Sequence, residues 1–148
     1  MSLESLLAEG QLRRHKTSGK EIGDLLRLAT RDVTDASVTG LSPDRRFLIA
    51  YEAVLALATV PLACAGYQTH GAGHHWVTFQ ALPLVMGKES AGLATYLESC
   101  RTKRNVGTYD RGGGISDGEA NELVSEAKAL KKAVEAWLKK SHPELVGR

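Results

Sequence analysis

One stretch of this chain limits the fold more than any other. Ser42-Pro43-Asp44 is followed by a run from Phe47 to Tyr67 that is apolar on nearly every helical face. A serine oxygen can cap a helix, proline suits the first helical position, and aspartate complements the positive end of the dipole. Phe47, Ala50, Tyr51, Val54, Leu57 and Ala58 carry the pattern forward. A helix without a polar side must be covered all round, so the rest of the chain has to supply its neighbours. Small residues at 50, 53, 56, 58, 63 and 65 let those neighbours come close. Pro61 predicts a kink and Gly66 a stop. The run is long enough to raise the question of a membrane span. Glu52, Thr59, Pro61 and the alanine content favour a buried core helix and no membrane.

The remaining segments read as that helix's partners. The 148 residues suit one domain, which at this size buries roughly two-thirds of its unfolded surface. Residues 2–9 read as a short helix, and 10–19 as a polar loop carrying Arg13, Arg14, His15 and Lys16. Ser18, with Glu21 three residues on, has the reciprocal capping pattern and opens a helix to about Asp35. Ile22, Leu25, Leu26, Ala29 and Val33 form its stripe, and 34–40 is a connection. Tyr67 to Gly73 reads as a loop, and His74-His75-Trp76 opens a helix that Pro83 should bend or end. Gly87 breaks the chain before a helix from about Glu89, whose Leu93, Tyr96, Leu97, Cys100 and Arg104 share a face that turns cationic. Ser116 and Glu119 repeat the capping pattern, and the last helix runs to His142-Pro143. No strand and no internal repeat is legible. The expected fold is all-α: an up-and-down antiparallel helical bundle, with four core helices plus short N-terminal helices. Residues 1–40 form the N-terminal helical extension and 41–141 the core bundle of a single domain.

The chemistry concentrates at one corner. A net charge of +2 excludes bulk electrostatic attraction to nucleic acid, so anion binding must be local. Two cysteines without paired spacing, and a start lacking a secretory pattern, point to reduced thiols in the cytoplasm. Cys64, His70, His74 and His75 match no usual zinc spacing, so no metal and no cofactor is expected. These histidines read as a helix start, with His75 near a groove. Gly112-Gly113-Gly114 lacks the lysine and hydroxyl of a phosphate loop and reads as a linker. The corner itself holds Arg101, Lys103, Arg104 and Arg111 beside Asn105 and Tyr109. Arginine grips a phosphate with two parallel bonds and stabilises charge built up in a transition state. On a continuous helix Arg104 and Tyr109 are about 140° apart, so they meet only if the helix ends near Gly107.

As an ordered set these pieces resemble the HEPN superfamily over about residues 41–141. The stretch from Ser42 to Ala53 resembles the family's long second helix, with a similar exit at Gly66-Tyr67, and Gly73-His74-His75 its third-helix start. Arg104-Asn105-Val-Gly-Thr-Tyr109-Asp110 is similar to the family signature: Arg, a polar residue, a short spacer, then His. The resemblance implies a bundle that homodimerises, with the two signatures meeting at the interface. It implies metal-independent cleavage or binding of RNA, and pairing as a toxin with a nucleotidyltransferase-like antitoxin. Arg104, Asn105 and Tyr109 take the catalytic positions; Arg101, Lys103, Arg104 and Arg111 bind RNA or nucleotide phosphate. Position 109 departs from the family, since Tyr stands where His is usual. A neutral phenol shuttles protons poorly near pH 7. The sequence therefore reads first as an RNA- or nucleotide-phosphate-binding protein and second as an endoribonuclease. The alternative is a non-catalytic module docking the nucleotidyltransferase-like partner.

Overall fold

The structure, a computed structural model, describes residues 1–105 and 114–146. Its described part is mainly helical. In chain order it contains α1 (Leu3–Ala8), β1 (Leu12–Arg14), α2 (Gly19–Ala36), α3 (Pro43–Cys64), β2 (Tyr67–Thr69), α4 (His74–Met86), α5 (Ala91–Lys103) and α6 (Asp117–Ser141).

The helix starts follow the capping chemistry. Ser42 accepts from the amide of Arg45 ahead of Pro43. Ser116 and Glu119 satisfy each other's backbone amides at the start of α6. At α2 the expected reciprocal pair is half formed. Ser18 accepts from the Glu21 amide, but the Glu21 carboxylate turns back to His15 at 2.8 and 2.9 Å and to Thr17 at 2.6 Å. Neither proline ends its helix. Pro61 and Pro83 lie in the last turns of α3 and α4, and their carbonyls accept the closing amides of Ala65 and Gly87.

α3 is the centre of the packing, against α2, α4, α5 and α6. Phe47, Ala50, Tyr51, Val54 and Leu57 are at most 1% exposed. Ile22 and Ala29 of α2, Phe79 of α4, Leu97 of α5 and Leu123 and Val134 of α6 complete this core. Residues 1–40 thus dock: α2 shares the main core, whereas α1 and β1 join a smaller cluster of Leu6, Leu12, Leu62, Tyr67 and Val77. α3 is long and apolar enough to cross a membrane, but 67% of its apolar window is buried under its neighbours. Arg46 ties three helices at one end. Its Nε donates to the Ala36 carbonyl at 2.8 Å and one terminal nitrogen to Asn121 at 2.7 Å.

Two segments expected as loops are short strands. β1 and β2 pair antiparallel, with Leu12 opposite Thr69 and Arg14 opposite Tyr67. Three residues per strand are too few to show alternation, and the pairing joins distant parts of the chain, so local pattern carries no trace of it. The ribbon buries Leu12 and Tyr67 and fixes the chain just ahead of α4.

Candidate functional site

The site is built around a phenol buried in the core. Tyr51 of α3 is 0% exposed, and its hydroxyl lies 2.9 Å from Nδ1 of His75, in the first turn of α4. Phe79, one helical turn along α4, meets the Tyr51 ring edge-on at 5.9 Å. The Arg104 guanidinium carbon sits 5.0 Å from the centre of the same ring. That contact attracts the cation to the ring face. Tyr51 thereby holds an imidazole from α4 and a guanidinium from α5 on one side of α3.

α5 delivers its polar groups by helical spacing. Arg101, Arg104 and Asn105 fall three and four residues apart, hence on one face. Arg104 keeps helical angles (φ −57°, ψ −48°) at the end of α5. Arg101 and Asn105, with Gly73, His74, His75 and Trp76 at the start of α4, line a cleft of about 280 Å³. Gly73 holds the N-cap position in the left-handed region (φ 77°), gives no side-chain cap, and no acid stands in the first turn of α4. The first amides of a helix carry partial positive charge when nothing caps them. The cleft walls therefore combine amides, imidazoles, a guanidinium and a carboxamide.

Carboxylates flank this cationic side. Arg101 donates from Nε and a terminal nitrogen to Glu98 at 2.8 and 2.5 Å. Lys103 lies 3.1 Å from Glu119 of α6, and Arg104 lies 3.6 Å from Glu52 of α3. The Arg104 side chain is 16% exposed. The cationic corner read from the sequence is, at Arg104, a covered guanidinium between a ring and a carboxylate. Arg101 is more accessible, and a guanidinium has five donors, so two bonds to Glu98 leave others for a ligand. Lys103 points to α6 and does not line the cleft. Tyr109 and Arg111 lie outside the described residues.

Electrostatics set the protonation states. Burial holds the His75 imidazolium form at a disadvantage, and Arg104 and Arg101 add to this against the opposing pull of Glu52. Its pKa is lowered, so His75 is neutral near pH 7. Burial also raises the Tyr51 pKa despite Arg104 and Arg101, which keeps the hydroxyl protonated. Arg101 is held more firmly protonated, chiefly by its bond to Glu98.

Sequence reasoning thus finds Arg101, Arg104 and Asn105, which the fold brings together, and places His75 near a groove. It does not find Tyr51 and Glu52, which read as core and as a helix polar position. The available signal is a phenol on a helix that is apolar on nearly every face, since a buried phenol normally has a partner. Comparison with models of known families, with curated proteins and with solved structures finds no match.

Proposed function

We propose that this chain is a HEPN-like up-and-down helical bundle that binds a phosphate of single-stranded RNA in the cleft between α4 and α5. One observation carries the reading: Arg101 of α5 and Asn105 just after it line one cleft with the acid-free, side-chain-uncapped start of α4. Such a combination favours a multiply charged oxygen anion, because helix amides, guanidinium and carboxamide all donate to it. Arg101 grips the phosphate, Asn105 orients it or a 2′-hydroxyl, and Arg104 supplies charge from behind. Lys103 and Arg111 contribute to the surrounding potential, and Tyr109 completes the signature implied by the resemblance. In this reading the protein is a cytoplasmic homodimer.

The pairing of Arg101 with Glu98 does not prevent binding. Arg101 keeps donor positions beyond its two part-buried bonds to Glu98, and a guanidinium has five donors in all. Binding of a short single-stranded RNA should weaken with salt, with a slope of about −0.7 per phosphate contact. Arg101→Ala and Asn105→Ala should each lower affinity, and Lys128→Ala should not. Unchanged affinity in the double replacement would remove the proposal.

The carboxylates at Glu52, Glu98 and Glu119 favour a second reading, because they neutralise much of the local charge. In it the chain is a non-catalytic module docking a nucleotidyltransferase-like antitoxin. That partner should then bind undiminished when Arg101, Lys103, Arg104 and Arg111 are all replaced.

A further inference from the structure

We infer that His75 is an uncharged ligand-contact residue of the α4–α5 cleft: its Nε2–H donates to a phosphoryl oxygen, and Tyr51 is the positioning residue that keeps the proton on that nitrogen. The inference rests on the reading that an RNA phosphate occupies the cleft, and it adds a recognition contact that carries no charge.

The tautomer follows from the surroundings of the buried phenol. Tyr51 is 0% exposed, and its hydroxyl has one hydrogen-bond partner among the described residues, Nδ1 of His75 at 2.9 Å. Burial opposes ionisation of the phenol, so the hydroxyl keeps its proton. A proton on Nδ1 as well would leave the phenol O–H buried without an acceptor among the described residues, which is costly. The hydroxyl therefore donates to Nδ1, and the ring carries its own proton on Nε2. Phe79 meets Tyr51 edge-on and steadies the ring that carries the hydroxyl. His74 has no such brace: its Nδ1 meets only the Thr69 hydroxyl, at 3.4 Å and at the surface.

The N–H edge of His75 is available to a ligand. Nε2 has no hydrogen-bond partner among the described residues and is not buried. His75 lines the cleft with Arg101 and Asn105, and its other nitrogen is held against α3. Arg104 donates to the Asn105 carbonyl oxygen at 3.5 Å, which leaves the Asn105 NH2 as the free end of that side chain.

Neutral donors matter here because carboxylates answer the cations. Arg101 is paired with Glu98, Lys103 with Glu119 and Arg104 with Glu52. Much of the local charge cancels, so the direction of hydrogen bonds selects the occupant. His75 Nε2–H, the Asn105 NH2 and the first amides of α4 all donate, and together they suit the unprotonated oxygens of a phosphate. Burial, and then Arg104, disfavours a second proton on the imidazole, so His75 makes its contact as a neutral group.

The test uses the full chain and a short single-stranded RNA. Nitrogen NMR of the wild-type protein should show His75 protonated on Nε2 and bare on Nδ1, and bound RNA should shift the Nε2–H signal. His75→Phe keeps a ring but removes both nitrogens. It should weaken RNA binding about 10-fold or more while helical circular dichroism stays that of wild type. The slope of log affinity against log salt should not change, because no charge is lost. Arg101→Ala should instead flatten that slope by about 0.7. Tyr51→Phe should admit the Nδ1–H form and weaken binding less than His75→Phe does. A proton on Nδ1 in the wild-type spectrum, an Nε2–H signal unmoved by bound RNA, or wild-type affinity in His75→Phe would each overturn the inference and leave the binding reading intact. A flatter salt slope in His75→Phe would also overturn it, since the residue would then act as a cation. If His75→Phe does not fold, the wild-type spectra decide alone. Failure of the wild-type protein to bind RNA overturns both.

Discussion

His75 has two nitrogens in different surroundings, and that asymmetry yields the most local predictions. Nδ1 meets a buried hydroxyl at 2.9 Å. Tyr51→Phe keeps the ring beneath Arg104 and the edge contact with Phe79 but leaves Nδ1 without its partner. The loss should be about 1 kcal/mol in denaturant unfolding, the usual net value of one hydrogen bond. Nitrogen NMR of the imidazole should show a changed tautomer balance. The pH dependence of stability follows from the lowered His75 pKa, caused first by burial and then by Arg104. As pH falls through about 6.5, the ordinary imidazole value, the unfolded chain takes up a proton that the folded chain still refuses. Stability contributed by this residue is therefore intact above that value and lost as pH falls toward the lower folded pKa. His75→Gln should flatten this part of the stability–pH curve; identical slopes for both proteins would contradict the assignment. Only part of this was legible in sequence. Arg101, Arg104 and Asn105 stand out as neighbours in one short cationic stretch, whereas the bond from Tyr51 to His75 joins residues 24 apart, across two helices. No periodicity encodes such a contact.

The helices were legible because their caps and stripes are local. Ser42-Pro43 and Ser116…Glu119 mark their helix starts, and the apolar pattern of α3 states its central position. The ribbon of β1 and β2 was not legible, since its stability comes from a long-range pairing that buries Leu12 and Tyr67. Nor was the role of Arg46, whose nearest sequence neighbours give it an ordinary place in a first turn. It closes the carbonyl end of α2 through Ala36 and reaches Asn121 on α6. Arg46→Ala should cost about 1.5–3 kcal/mol, the range for hydrogen bonds from a charged group. A loss near zero in chemical denaturation would show that the three helix ends are held by packing alone. Alanines set the spacing around α3: Ala50 and Ala53 are 0% exposed. Ala53→Leu should destabilise by about 1–3 kcal/mol through overpacking, despite adding apolar surface.

Across the whole molecule, two apolar clusters of unequal size organise stability. The larger joins α2, α3, α4, α5 and α6; the smaller gathers α1 and the ribbon against the ends of α3 and α4. Amide hydrogen exchange should accordingly be slowest in α3 and α6, with α1 and the ribbon opening first. This gradient places the α4 start, and with it the cleft, between a rigid floor at Tyr51 and a more easily opened edge at β2. The cleft is where function is assigned, and NMR titration of the full chain with a short single-stranded RNA at low salt tests that assignment most directly. The account predicts shifts concentrated at His75, Trp76, Arg101 and Asn105 that fade as salt is raised. Shifts confined to another surface, such as the groove lined by Arg31, Asp35 and Arg45, or no shifts at all, would contradict it.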